Sequence, residues 1–144
     1  MTNGCHVSRA INAPAQTVWG LLTDASNYSA WNPSVISIDG PITAGNTIKL
    51  VSIASPKQTF KLKVVSMEAP RRMVWASGMP LGLFKGVRTF LLEEEGAGTN
   101  FSITEAFTGP LSGLIARSIP DLTDSFDQFA DGLKTAAEDQ RGTP

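Results

Sequence analysis

Two residues of opposite charge, Arg88 and Glu105, are the pair best suited to chemistry in this sequence. They lie in two alternating segments, FKGVRTFLLEEE and TNFSITEAF, on either side of Gly96-Ala97-Gly98. A hairpin centred between Gly96 and Ala97 places Arg88 opposite Glu105, on a face whose other members are apolar or glycine. An arginine held there can orient a carboxylate, phenolate or carbonyl group of a bound molecule.

The sequence leaves two interpretations of this pair open. Charges that face an apolar interior are costly unless paired, so Arg88 and Glu105 can form an ion pair whose only role is specificity of fold. Alternatively, Arg88 orients the polar end of an apolar ligand and Glu105 holds the guanidinium in place. The two residues are therefore candidates for catalysis as well as for binding, provided that the hairpin register is right.

The other reactive side chains form no catalytic or metal-binding motif. Cys5 and His6 are the single Cys and the single His, too few for a zinc site, and neighbours on a strand point to opposite faces. Glu93-Glu94-Glu95 is typical of a solvated hairpin end. No nucleophile triad or phosphate-binding loop is present. The sequence predicts no metal and no cofactor. Four acids at helical spacing predict the exposed face of a helix: Asp121, Asp124, Asp127 and Asp131.

Length and composition indicate one globular domain over residues 1–144. Hydrophobic residues make up 42% and charged residues 17%, unlike a disordered chain, and a net charge of -1 without a basic run argues against nucleic acid as a partner. The start, MTNGCHVSRA, lacks the apolar core of a secretory signal, and no apolar run reaches the ~18 residues of a membrane span. We expect a cytoplasmic protein that is a monomer or a weak homodimer.

The first part of the chain predicts one strand and two short helices. HVSRAI alternates, with Val7, Arg9 and Ile11 on one side, and NAPAQTVWGLLTD has helical spacing with Pro14 in its first turn. The stretch YSAWNP then ends the second helix, because Pro33 forces the residue before it out of the helical region. Trp31 in this stretch is interpreted as a plug at one end of the sheet or as part of a cavity wall.

Six further extended segments, separated by short turns, predict an antiparallel meander. In QTFKLKVVSME the alternation turns Phe60, Leu62 and Val64 inward. A preceding turn symmetric about Pro56 would place Leu50 opposite Leu62. After Pro110 the apolar residues recur at helical spacing and predict a long amphipathic helix that Pro120 kinks or splits, with its firmer half over 120–138.

These elements resemble the START-like helix-grip superfamily, and within it the polyketide cyclase/dehydrase (SRPBCC) branch. The similar stretches are INAPAQTVWGLLTDASNYSAWNP, EAPRRMVW, TFLLEEEGAGTNFSITEAF and the final LKTAAE. The resemblance implies an α+β fold, in which a curved antiparallel sheet of about seven strands wraps around the long C-terminal helix and two short helices follow the first strand. It also implies a hydrophobic cavity between sheet and helix, whose use differs between members.

The alternation and the implied cavity together select the candidate ligand-binding residues, although plain core packing explains the aromatic ones equally well. The loop GMPLGLFKG between two of the strands is either a lip over the cavity mouth or a tight structural turn. The candidates are Trp31, Leu62, Trp75, Met79, Phe84, Arg88, Phe90, Glu105, Phe107, Leu114, Ile115, Ser118, Leu122 and Phe126.

Three functions remain in consideration. The first is binding of a small hydrophobic or lipid-like molecule without catalysis. The second is a polyketide cyclase or dehydratase-type enzyme acting on an aromatic or polyketide-like substrate, with Arg88 and Glu105 or an ordered water moving protons. The third is an interaction domain whose cavity is filled by its own side chains. The sequence does not decide between catalysis and binding, and the lack of a recognisable catalytic motif favours binding.

Overall fold

A computed structural model describes residues 3–53, 55–78, 83, 85–110 and 123–142 of the chain. The described strands are β1 (Asn3–Ile11), β2 (Val35–Asp39), β3 (Thr47–Ser52), β4 (Ser55–Glu68), β5 (Arg72–Gly78), β6 (Lys85–Glu95) and β7 (Gly98–Thr108). The described helices are α1 (Ala15–Leu22), α2 (Tyr28–Trp31), which follows a single 3-10 turn at Ala25–Asn27, and α3 (Thr123–Gly142). The strands form one antiparallel sheet in the order β1-β7-β6-β5-β4-β3-β2, which curls against α3. The predicted helix-grip fold is confirmed.

The hairpin of β6 and β7 has the predicted register. Arg88 pairs with Glu105, and the pairing continues to Glu95 opposite Gly98. Gly96 lies in the turn with φ of 63°, a conformation that glycine adopts without the steric penalty of a side chain. The turn therefore sets the register that brings the two charges together.

The hairpin of β3 and β4 differs from the prediction by two residues. Leu50 pairs with Phe60 and Ile48 with Leu62, because Ser52 pairs with Ser55 and the turn comes earlier than one centred on Pro56. A shift by two preserves the faces of a strand, so Leu62 is still buried. Phe60 pairs with Leu50 and shares the face of Leu62, as predicted, but it is 38% exposed near the hairpin end of β4 and so lies at the edge of the core.

The stretch YSAWNP ends α2 as predicted. Asn32 is extended, with φ of -107° and ψ of 101°, as the residue before a proline favours. Its Oδ1 accepts hydrogen bonds from the backbone N–H and the hydroxyl of Ser34, at 3.0 and 2.6 Å. Trp31 packs edge-on against Phe129 of α3, with ring centroids 5.5 Å apart. The contact between α2 and α3 closes one end of the sheet.

Charged side chains attach α3 to β1. The Arg9 side chain donates to Asp127 and Asp131, each at 2.8 Å, and Lys134 donates to the Ala10 carbonyl at 2.8 Å. Asp127 and Asp131 therefore do not only form the exposed face of α3. They also form ion pairs with Arg9, which lies on the helix side of the sheet. None of the described helices is both long and apolar enough to cross a membrane.

Candidate functional site

One row of side chains crosses the face of the sheet that α3 covers. Cys5 pairs with Glu105, Glu105 with Arg88, Arg88 with Trp75, and Trp75 with Val64, each across adjacent strands. Directly opposite residues in an antiparallel sheet share a face, so these five side chains lie on the same side. We call this set the polar row, because its centre is the ion pair.

The ion pair holds Arg88 in place through part of its guanidinium. Arg88 Nε donates to Glu105 Oε2 at 3.2 Å, and the two side chains are 17% and 9% exposed. The guanidinium carbon lies 4.9 Å from the ring centroid of Phe126 in α3, a cation–π distance. Within the described part of the chain, Nη1 and Nη2 of Arg88 donate no hydrogen bond. Two donors on a largely buried cation are therefore directed at no described acceptor.

Gly86 borders the ion pair on the side toward the start of β6. A Cβ at this position would lie 3.3 Å from Glu105 Oε1 and 3.4 Å from the Phe107 ring. Any larger side chain would therefore enter the space beside the carboxylate. Glycine at this inward position therefore lets Glu105 and the Phe107 ring pack closely against the backbone of β6.

An aromatic cluster borders the ion pair on the opposite side. Its centre is Phe129 of α3, whose ring centroid lies 5.7 Å from that of Phe90, 6.3 Å from Phe101 and 5.9 Å from Tyr28. The ring of Trp75 contacts that of Phe90 edge-on, with ring centroids 4.7 Å apart. The cluster fills this part of the space between sheet and helix, so the polar row forms its boundary.

Phe129 and Tyr28 were not among the predicted site residues. Phe129 follows Phe126 by three positions and so shares its helix face, which was a usable signal. Tyr28 belongs to YSAWNP, but nothing local indicates that its ring reaches the sheet. Contacts between distant segments decide its position.

Tyr28 contributes a neutral phenol whose proton is already engaged. The side chain is fully buried, and its hydroxyl donates to the Leu22 carbonyl at 2.5 Å. Burial raises the pKa of Tyr28 far above its usual value, and the nearby Arg88 charge opposes this only in part. The phenol is therefore unavailable as a proton donor to a ligand.

We expect this burial to make the fold sensitive to high pH. The unfolded chain releases the tyrosine proton near pH ~10 and the folded chain does not, so the free energy of unfolding falls above that pH, by up to about 1.4 kcal/mol per pH unit. Tyr28 is the only tyrosine in the chain, so tyrosinate absorbance should rise only as the protein unfolds. In Tyr28→Phe this component of the pH dependence should disappear, and stability at neutral pH should fall by about 1 kcal/mol. Tyrosinate absorbance that rises before unfolding would contradict the assignment.

Eight of the fourteen candidate ligand-binding residues fall within the described chain. Trp75, Arg88 and Glu105 belong to the polar row, Phe126 covers Arg88, and the remaining four are buried or half-buried on the same side: Trp31, Leu62, Phe90 and Phe107. Whether any of them contacts a ligand stays a prediction. The other six, together with most of the loop GMPLGLFKG and the predicted kink at Pro120, lie outside the described residues: Met79, Phe84, Leu114, Ile115, Ser118 and Leu122.

The acidic stretch is exposed, and Cys5 and His6 have different surroundings. Glu93, Glu94 and Glu95 are all exposed at the hairpin end, as predicted. His6 bonds Thr104 at 2.7 Å at an exposed position, whereas Cys5 is half-buried in the polar row. Across the described ranges, no three His, Cys, Asp or Glu side chains are grouped so that they could hold a metal ion.

Solved structures with this fold include three proteins that match almost end to end. The Zhui aromatase/cyclase from Streptomyces sp. R1128 has a TM-score of 0.77 at 12% identity, covering 98% of this chain and 96% of its own. Protein MLL2253 from Mesorhizobium loti has a TM-score of 0.74 at 17% identity, covering 96% and 98%. A START superfamily protein from Mycobacterium smegmatis has a TM-score of 0.69 at 15% identity, covering 95% and 98%. At these identities the likeness establishes the fold alone.

The sequence itself matches a family over almost its whole length. Comparison with curated proteins found no significant match. A family model described as polyketide cyclase / dehydrase and lipid transport matches residues 5–138. This span includes most of β1, all of β2 to β7, the whole polar row and most of α3. With its seven-stranded sheet curled against a C-terminal helix, the chain therefore belongs to the polyketide cyclase / dehydrase and lipid transport family.

Proposed function

We propose that this protein binds a small hydrophobic or lipid-like molecule between the sheet and α3, with the polar end of the molecule at Arg88. The observation that carries the proposal is the largely buried guanidinium whose Nη1 and Nη2 donate to no described residue. Neither nitrogen is a fully buried atom without a partner, so a bound molecule can reach both, and a hydrogen bond from a charged donor is stronger than one from a neutral donor. A ligand acceptor would supply a partner for them, while Phe107 and Phe126 would contact the apolar body.

A second candidate function is catalysis of the cyclase or dehydratase type. The observation that favours it is Glu105, a carboxylate only 7% exposed as a residue and held beside Arg88 in the same row. A carboxylate in this position can take up and return a proton of a ligand whose carbonyl is bound by Arg88. Turnover of a poly-β-ketone substrate that is lost in Glu105→Gln but retained in Glu105→Asp would support this candidate.

A bulky side chain at position 86, beside Glu105, tests the binding proposal directly. Gly86→Leu places a side chain toward Glu105 Oε1 and Phe107, so we expect it to weaken binding of Nile red, a neutral apolar dye, at least about tenfold. Fluorescence titration measures the affinity. The matched control is Gly20→Leu in α1, where an added Cβ meets no atom within 4 Å, and its affinity should equal that of the wild type.

The same purified protein offers a second measurement. Native mass spectrometry of the wild type from cells should show a bound small molecule that organic solvent extracts, with less of it in Gly86→Leu. A milder variant, Gly86→Ala, covers the case in which Leu at this position prevents folding. If the wild type neither binds Nile red nor retains a molecule, the binding proposal is wrong. The third candidate, an interaction domain filled by the aromatic cluster, would then be favoured.

A further inference from the structure

The indole of Trp75 is a second unused donor beside Arg88. Trp75 is fully buried, and its Nε1 has no hydrogen-bond partner in the described part of the chain. The residue pairs directly with Arg88 across β5 and β6, so the two side chains leave the sheet side by side on the same face. The ring centroids of Trp75 and Phe90 lie 4.7 Å apart, and this contact holds the indole ring against the aromatic cluster. A buried N–H without a partner is unfavourable, and an acceptor on a bound molecule would satisfy it.

Three donor nitrogens of this region, on two neighbouring side chains, have no described acceptor. Nη1 and Nη2 of Arg88 and Nε1 of Trp75 bond no described acceptor, whereas the Tyr28 hydroxyl already donates to the Leu22 carbonyl. Glu105, the charged acceptor of the row, is bound to Arg88. A molecule that fits must therefore accept hydrogen bonds from both strands. A carbonyl oxygen, with two lone pairs, can accept from two such donors at once.

The net charge of the polar row favours a neutral ligand acceptor over an anionic one. Arg88 and Glu105 already cancel, so the polar row carries no net charge. A carboxylate or phenolate would add a negative charge close to the Glu105 carboxylate, where side chains are 17% exposed or less and water screens poorly. A neutral carbonyl adds no charge and uses the same donors. The ion pair thus selects against the anionic ligands that an isolated arginine would attract.

The two donor side chains and the neutralised charge of the ion pair together point to one ligand class. We infer that the ligand is an apolar molecule with an uncharged carbonyl, such as a ketone, ester or amide, bound jointly by Arg88 and Trp75. The inference rests on the proposed binding function and narrows it. Trp75 is then a specificity-determining residue, because its Nε1 donates a hydrogen bond to the ligand carbonyl, in addition to its role in core packing.

Three naphthalene probes of one size test this inference: 2-acetonaphthone, 2-naphthoate and 2-ethylnaphthalene. In the wild type we expect the ketone to bind about tenfold more tightly than the other two. Trp75→Phe keeps an aromatic ring but removes the N–H, so ketone affinity should fall about tenfold while that of the hydrocarbon changes little. Trp19→Phe in α1 is the matched control and should change neither. Glu105→Gln leaves the Arg88 charge uncancelled and should make 2-naphthoate the tightest of the three.

An infrared measurement separates a hydrogen bond from mere packing. The carbonyl stretch of bound 2-acetonaphthone should lie at lower frequency in the wild type than in Trp75→Phe. Tighter binding of 2-naphthoate by the wild type, or an equal loss of ketone and hydrocarbon in Trp75→Phe, would overturn the inference and leave the binding proposal intact. Binding of Nile red without binding of any naphthalene probe would also overturn it. Failure of Nile red together with all three probes would contradict the binding proposal itself.

Discussion

Arg88→Met is expected to lower the free energy of unfolding by about 3 kcal/mol, because it leaves the Glu105 carboxylate without its cation. The pair lies 3.2 Å apart, with side chains 17% and 9% exposed, so water cannot replace the arginine effectively. Methionine retains much of the apolar length of the side chain and its contact with Phe126, which limits the loss to the charge and its hydrogen bond. Urea unfolding of both proteins measures the difference.

A double-mutant cycle and a surface control make this result specific. Arg88→Met combined with Glu105→Gln removes the unpaired charge, so it should recover at least half of the lost stability. Arg72→Met breaks the pair with Glu68, which is 3.6 Å long with side chains 46% and 57% exposed, and should cost less than about 0.5 kcal/mol. If Arg88→Met costs no more than Arg72→Met, the ion pair is effectively solvated, and the argument from a largely buried guanidinium fails with it.

Gly132→Ala is expected to destabilise the fold by about 2 to 3 kcal/mol, although alanine is the better helix former. An added Cβ at this position of α3 would overlap the Trp31 carbonyl oxygen and lie 3.0 Å from Cδ of Pro33. Neither neighbour can move easily, because one is backbone and the other is a proline ring. The helix would have to shift away from α2, which loosens the contact between Trp31 and Phe129.

Gly20→Ala is the matched control, since Gly20 also lies inside a helix. Its added Cβ meets no atom within 4 Å, so the substitution should stabilise the protein by about 0.5 to 1 kcal/mol. Thermal or urea unfolding of the two variants should therefore give shifts of opposite sign. Stabilisation by both substitutions would show that α3 does not approach Trp31 as closely as the structure has it.

The position of the ion pair was predictable, whereas the β3–β4 register was not. Strand alternation and the glycine turn at Gly96 are local properties, and together they place Arg88 opposite Glu105. In the other hairpin, the earlier turn at Ser52 and Ser55 and an irregularity after Leu50 shift the pairing by two residues. The sequence there offers several turn residues with nothing to rank them, so a symmetric turn was the wrong choice.

By itself, the sequence determined the order of the elements, the faces of the strands and the helix end at Pro33, because each depends on residues a few positions apart. Only the tertiary structure decided where α3 lies. That position places Phe126 over Arg88, Phe129 among the sheet aromatics, and Gly132 against Trp31. It also joins Arg9 to Asp131, 122 residues away. Such contacts depend on how two finished surfaces fit together, and no local periodicity carries that information.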